Sequence, residues 1–316
     1  MPTFRDDSFL SGNGKTSIYV RRCDPDTAPR GVIQIAHGIA EHIRRYDDFA
    51  AFLAEHGFVV VGNDHLGHGR SIRDESELGF FAENGGWELA VGDMRKLTER
   101  MQEEFPDLPY FLFGHSMGSF LSRTYIIRYR TGLDGVILSG TGQQPAALVS
   151  SGKLMAEWEI RRHGAKYKSQ LLNDLAFGKY NDGFAPARTI SDWLSRDEEA
   201  VDRYTDDPLC GYIPSAGLFR DMMGGLAYIG RQRNLTRMKN DLPVYFVSGD
   251  KDPVGENGAG VMRVYKAFLK AGMTDVSMKL YHDCRHEILN ELNRAEVYRD
   301  ILTWLESKLP AAAIIV

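Results

Sequence analysis

The sequence predicts an α/β protein, a doubly wound and mostly parallel sheet broken by one helical insertion. Three observations support this. Short, continuous apolar runs alternate with helix-patterned segments, as expected when strands are covered on both faces. One run, Tyr110 to Phe120 ("YFLFGHSMGSF"), drives into a serine framed by glycines, in the pattern G-x-S-x-G. Between about Gln143 and Asn240 the alternation stops, and the chain becomes helix-patterned with mixed polarity.

The elements follow in order. "TFRDDSFLS" and "TSIYVRRCD" are more polar and predict an antiparallel hairpin at a sheet edge. "GVIQIAHG" (31–38), "FVVVGND" (58–64), "YFLFGHS" (110–116), "GVILSG" (135–140), "PVYFVSGD" (243–250) and "VSMKLYHD" (276–283) are the buried strands. Helices are expected over Tyr46–His56, Trp87–Phe105, Gly118–Tyr129, Val261–Ala271 and Ala295–Lys308. The insertion carries apolar residues at helical spacing: Leu154, Met155 and Trp158, then Leu218, Met222, Leu226 and Ile229. It reads as a cap over the C-terminal edge of the sheet, where open α/β sheets bind ligands. Most of the stripe should be core, and a minority should face a pocket. The expected organisation is a core in two parts, residues 1–142 and 241–316, with the cap at 143–240.

Composition narrows the function classes. Over 316 residues the formal charge is −5, which supplies no basic field for nucleic acid. Cys23, Cys210 and Cys284 lie far apart, and without a C-x-x-C they suggest neither a disulfide framework nor a zinc knuckle. The first residues lack the apolar stretch of a signal peptide, and the final "AAAIIV" is far too short to span a bilayer. A cytoplasmic protein is expected.

G-x-S-x-G matters because of the turn it permits. A sharp strand-to-helix turn lifts the serine hydroxyl off the sheet, and side chains at Gly114 and Gly118 would collide with neighbouring backbone. Ser116 there is a weak nucleophile until a base takes its proton, and the base needs an acid to orient it. Later strands supply both, in the order this turn demands: Asp250 and Asp252 in "VSGDKDPVG", then His282 and His286 in "YHDCRHEILNE". His286 opens the following helix, where it can swing over the serine. Charge developing on a carbonyl oxygen needs preorganised N–H donors, for which the amides of Met117 and Ile39 are placed.

At this point the chain resembles a family, the monoacylglycerol lipase and lysophospholipase group of capped α/β-hydrolases. "HGIAEHIRRY", "GNDHLGHGRS", "GHSMGS", "GDKDPV" and "RHEILNE" match that group's blocks in its order. The resemblance runs from about residue 10 to 308 and is loose in the cap. It implies Ser116 as nucleophile, Asp252 as acid, His286 as base, and Ile39 and Met117 as oxyanion donors. Asp250 then closes a turn, and His282 packs or hydrogen-bonds at its strand end. The family has a small residue where Ile39 stands, so its bulk should narrow the acyl side.

The implied activity is hydrolysis of a small lipid ester, a monoacylglycerol or lysophospholipid, without metal or organic cofactor. Trp158, Leu218, Met222 and Leu226 would form the apolar wall, and the cap would touch a membrane surface transiently. Two rivals share the scaffold. An aminopeptidase would need an acidic group for a substrate ammonium, with Glu157, Glu159 and Asp221 available; a receptor would keep the triad without turnover. Dehalogenase and epoxide-hydrolase readings fail, because they need aspartate at position 116. Glu41, His42, Arg45, Asp64, His65 and His68 could suggest a metal site. They read instead as a buried polar network around the oxyanion loop, with Arg45 paired to Asp64. His115 is expected to pack under the turn, Cys284 to be a small spacer, and 196–207 to be a solvated helix face.

Overall fold

The polar hairpin forms the sheet's edge, β1 (Thr3–Leu10) against β2 (Ser17–Asp24) in antiparallel register. In the computed structural model, which describes residues 1–310, six more strands complete the sheet: β3 (Gly31–Ala36), β4 (Phe58–Asn63), β5 (Tyr110–His115), β6 (Gly135–Ser139), β7 (Val244–Gly249) and β8 (Val276–Tyr281). The "AAAIIV" terminus lies outside the described residues. The order is β1-β2-β4-β3-β5-β6-β7-β8, and every pair from β4 to β8 is parallel. This is an α/β-hydrolase sheet.

The apolar runs are continuous because both faces are covered, and the two-residue period sorts them between two cores. Tyr110, Leu112, Val136, Leu138, Val244 and Phe246 face one side, where α2 (Gly86–Glu104), α3 (Met117–Arg128) and α9 (Ala259–Lys270) pack. Phe111, Phe113, Ile137, Tyr245 and Val247 face the other, against α1 (Asp47–Glu55) and α10 (Arg294–Ser307). Each large side chain fully buried this way contributes about 1.5–3 kcal/mol.

Between β6 and β7 the chain is helical: α4 (Ala146–His163), α5 (Gln170–Phe177), α6 (Glu198–Asp206), α7 (Ala216–Ile229) and the short α8 (Gln232–Leu235). Ser215 caps α7 by accepting the Leu218 amide at 3.1 Å. That helix lies between α4 on one side and α2 and α3 on the other, joining the insertion to the sheet's helical layer.

The turn between β5 and α3 is strained where the sequence placed its serine. Ser116 has φ +51°, a region costly for a non-glycine residue, and its amide is anchored to Ser139 O at 2.9 Å. A Cβ at Gly118 would stand 2.0 Å from the carbonyl oxygen of Ala36, and one at Gly114 would stand 2.6 Å from that of Gly118. Gly118→Ala is therefore expected to cost about 3 kcal/mol or more, read as a lower urea midpoint. An unchanged midpoint would mean that α3 does not press against β3 as described.

Candidate active site

The loops after β5, β7 and β8 bring the predicted residues together. Asp252 is fully buried, and His286 is 2% exposed. His286 Nδ1 lies 2.9 Å from Asp252 Oδ1, which also accepts the Val254 amide, while Oδ2 accepts from Ser248 Oγ at 3.2 Å. Burial alone would raise the Asp252 pKa, but the charge and hydrogen bond of His286 hold it below the usual value. Burial would likewise lower His286; Asp252 outweighs it and leaves the imidazole raised. The His286 ring lines the same small cleft as Ser116.

The alternative pair sits outside. The His282 side chain is 85% exposed, with Nδ1 3.0 Å from Asp250 Oδ2. Asp250 also accepts the Asp283 amide, as a turn former does. His115 packs against His286, ring centroids 4.6 Å apart, with Nδ1 3.2 Å from Ser139 Oγ. Burial and the neighbouring imidazole push His115 down to about 3, so it stays neutral.

The amides of Ile39 and Met117 donate to no protein acceptor among the described residues. The loop carrying Ile39 is held from below by Glu41, whose Oε1 accepts the Gly38 amide at 2.5 Å and the Tyr46 hydroxyl at 2.9 Å. Arg45 then reaches Glu41 Oε2 at 2.6 Å and grips both oxygens of Glu287, at 2.6 and 2.7 Å. This corrects the expected Arg45–Asp64 pair. Asp64 is already satisfied by two backbone amides, Ile43 at 2.8 Å and Arg70 at 2.7 Å. His37 and His65 complete the support, with His37 Nε2 accepting the His65 amide at 2.9 Å, so His37 is neutral. Burial pushes His65 down to about 3 and His68 to about 4.

Two spaces meet at Ser116 and Ile39. One is a cavity of about 450 Å³ lined by apolar side chains, among them Phe120, Met155, Leu172, Phe219, Met222 and Leu226. The other is a cleft of about 100 Å³ lined by His286, Tyr212, Asn173 and Ser191. Trp193 lines both; its ring lies 5.1 Å from that of His286, and its carbonyl accepts the His286 amide.

The expected wall is half corrected. Met222, Leu226 and Met155 line the cavity, but Trp158 does not. It stands 45% exposed with the Arg162 guanidinium over its ring. Leu218 and Ile229 are fully buried core. Sequence reasoning missed Leu172, Phe177, Trp193 and Phe219. The apolar spacing of "QLLNDLAF" in α5 could have revealed Leu172, whereas Trp193 lies in a single 3₁₀ turn, Asp192–Leu194, too short to carry a pattern.

The remaining candidates fall into place. Burial pushes the Cys284 thiol up to about 11, so it is no poised thiolate, and it donates to Asn293 Oδ1. Residues 196–207 are only partly solvated, since Arg196 pairs with buried Glu291 and Tyr204 packs beneath Arg45. Among the cap carboxylates, Glu159 accepts from Ser169, Asp221 pairs with Arg220, and Glu157 lies near Lys153. None of the three lines either space at Ser116.

The family model described as serine aminopeptidase, S33 (Hydrolase_4) matches residues 27–293. The chain belongs to that family. The monoacylglycerol lipase of Mycolicibacterium smegmatis is 32% identical over 96% of this chain and 98% of its own. The mouse monoglyceride lipase is 25% identical, over 93% of this chain and 88% of its own. Among solved structures, a thermostable carboxyl esterase from Bacillus coagulans in complex with glycerol superposes with TM-score 0.90 at 31% identity, covering 96% of this chain and 98% of that one. A soluble variant of the Saccharomyces cerevisiae monoglyceride lipase shares the fold, with TM-score 0.77 at 17% identity and coverages of 98% and 96%. The chain is a serine hydrolase of carboxylic esters.

Arg45 neutralises two buried carboxylates that would otherwise face each other. Burial would raise Glu287, yet Arg45 holds it down at about 2; Glu41, less well compensated, stays raised. Glu287 therefore contributes stability that is present above the ordinary glutamate pKa and lost as pH falls towards 2, while the raised Glu41 works in the opposite sense. In Arg45→Met both carboxylates lose their cation, so the folded state binds protons more readily than the unfolded one. The variant should lose about 3–5 kcal/mol at neutral pH, and the deficit should shrink as pH falls towards 5. Urea unfolding at the two pH values measures it, and a pH-independent deficit would contradict the charge account.

Proposed function

We propose that the chain cleaves monoacylglycerols, with Ser116 as nucleophile, His286 as general base and Asp252 as the orienting acid. The observation that carries this is the position of Ser116 where a large apolar cavity meets a small polar cleft. An ester with one acyl chain and a compact, neutral alcohol fills that shape. Ser116 Oγ attacks the acyl carbonyl and gives its proton to His286; the amides of Ile39 and Met117 meet the oxyanion. His286 then protonates the departing alkoxide, and a water deprotonated by the same imidazole hydrolyses the acyl-enzyme.

The lining favours a neutral alcohol over a lysophospholipid. Among the described residues no lysine or arginine lines the polar cleft, and its carboxylates, Glu41 and Glu287, are already engaged by Arg45. Lys179 is, among the described residues, the one cation at the apolar cavity. The aminopeptidase reading loses support for the same kind of reason, since the cap carboxylates lie away from both spaces. No helix among the described residues is long and apolar enough to cross a membrane. Leu148, Leu154, Met155, Leu171 and Leu175 are nevertheless exposed on α4 and α5, and three of them also line the cavity. We read this rim as the surface that meets lipid transiently while a substrate enters.

Ser116→Ala should abolish fluorophosphonate labelling and ester hydrolysis, and Asp252→Asn should cost about 10⁴ in kcat. Because the base must be neutral, kcat/KM should rise with pH through an apparent pKa above the ordinary histidine value of about 6.5. Labelling that survives in Ser116→Ala, or a flat profile from acid to neutral pH, would overturn the assignment.

The cavity should also select on chain length. Each acyl methylene buried contributes about 0.8 kcal/mol, so kcat/KM should climb with chain length until the cavity is full. Met155→Glu, at the partly exposed rim, should lower long-chain turnover on the order of tenfold and leave acetyl esters unchanged. Equal losses on both would make Met155 structural, and a preference for aminoacyl amides would restore the aminopeptidase.

A further inference from the structure

One group of liganding side chains lies beside the oxyanion loop and has no part in the ester chemistry. His42, directly after Glu41, places Nε2 2.8 Å from Asp207 Oδ2, in the segment that follows α6. Cys210 completes the group, so that one imidazole nitrogen, one carboxylate oxygen and one sulfur all lie within 4.8 Å of one another. His42 and Cys210 are each 8% exposed. The Cys210 sulfur has no hydrogen-bond partner among the described residues, although its amide donates to Asp207 O at 2.9 Å and closes the turn. Asp207 uses Oδ1 for the Leu209 amide at 2.8 Å, which leaves Oδ2 facing His42. One residue on, the Gly211 amide donates to Ala40 O at 3.0 Å, so the seam is tied by backbone as well.

We propose that His42, Asp207 and Cys210 form a regulatory site for a zinc-class divalent ion, one that joins the oxyanion loop to the helical insertion. The donor set is that of zinc, and its bonds of about 2.0–2.3 Å put tetrahedral ligand atoms roughly 3.4–3.6 Å apart. The histidine–aspartate contact must lengthen slightly and the sulfur must draw in, both within side-chain movement. A thiolate favours zinc, cadmium or cobalt over magnesium and calcium. On binding, the thiol loses its proton to solvent, one per ion. The ion with one carboxylate, one thiolate and a neutral imidazole carries no net charge, which suits a place close to the Arg45 cation. The second group of possible ligands, Asp250, His282 and Asp283, is largely exposed, has no sulfur and is ordinary surface.

The consequence follows from position. Ala40 and Gly211 both line the alcohol cleft, and the ion would fix the separation of the segments that carry them. Turnover should slow, because the alcohol leaves through a cleft that can no longer widen.

The test does not depend on the substrate, since binding is read spectroscopically. Chelator-treated protein is titrated with Co²⁺, following thiolate-to-cobalt charge-transfer absorption, with Zn²⁺ as competitor. One equivalent should bind, Cys210→Ser should lose the band, and His42→Asn should bind at least about tenfold more weakly. In parallel, Zn²⁺ should inhibit short-ester hydrolysis by the unmodified protein but not by Cys210→Ser, whose activity without metal should be normal. Cys210→Ala serves if serine is not accommodated. No saturable band, or a band that persists without Cys210, overturns the site. Binding without inhibition overturns its regulatory role, and inhibition that survives in Cys210→Ser places the inhibiting ion elsewhere.

Discussion

Arg45 reaches from the loop that carries Ile39 to the loop that carries His286, and much of the site's geometry hangs on that span. Its guanidinium binds Glu41 on one side and both oxygens of Glu287 on the other, with almost no solvent to screen either pair. Glu41 in turn holds the Gly38 amide, and Glu287 follows His286 directly. The position of the loop that carries the Ile39 amide relative to the His286 imidazole is thus set by one planar cation rather than by either loop alone. Arginine suits the task because its fork matches a carboxylate in two bonds and stays charged when buried. A lysine could neutralise the same charge without fixing the angle.

The strands were legible because helices cover both faces of the sheet. Every position from Phe58 to Val61, for instance, must be apolar, and a run like that has few other readings. The hairpin showed itself by the opposite sign, since β1 is largely exposed and its residues are mostly polar. Order along the chain marked Ser116 and the later Asp and His pairs as candidates, and the resemblance favoured Asp252 and His286 over Asp250 and His282. The structure separates those pairs by burial: Asp252 and His286 lie inside, Asp250 and His282 towards solvent.

What escaped sequence reasoning depends on distant chain coming together. Arg45 and Glu287 stand 242 residues apart, and nothing local announces the pair. Asp64 looked a suitable partner only because backbone amides, which take up its oxygens, leave no trace in side-chain identity. Trp158 failed for a geometric reason. It comes two residues after buried Ala156, and two steps around an α-helix turn it through about 200°, out to solvent. Leu218 is fully buried, whereas its neighbour Phe219 lines the cavity with Met222 and Leu226, so one step of about 100° round the helix takes Leu218 to the core side.

The helical insertion leaves the sheet after β6 and returns at β7, and those strands are direct neighbours in parallel register, with Val136 opposite Val244. Its two ends are therefore held side by side by the sheet, whatever lies between them. Closing a longer excursion across such a fixed gap costs little, about 0.6 kcal/mol for each doubling of length. Asp252 and His286 come after the return, in the loops that follow strands aligned by the sheet itself. A lineage could thus lengthen, shorten or replace the insertion, and with it the shape of the acyl cavity, while the reacting groups stayed in register. Substrate range and chemical competence are separable inheritances in this architecture, because they are built on different sides of one strand pair.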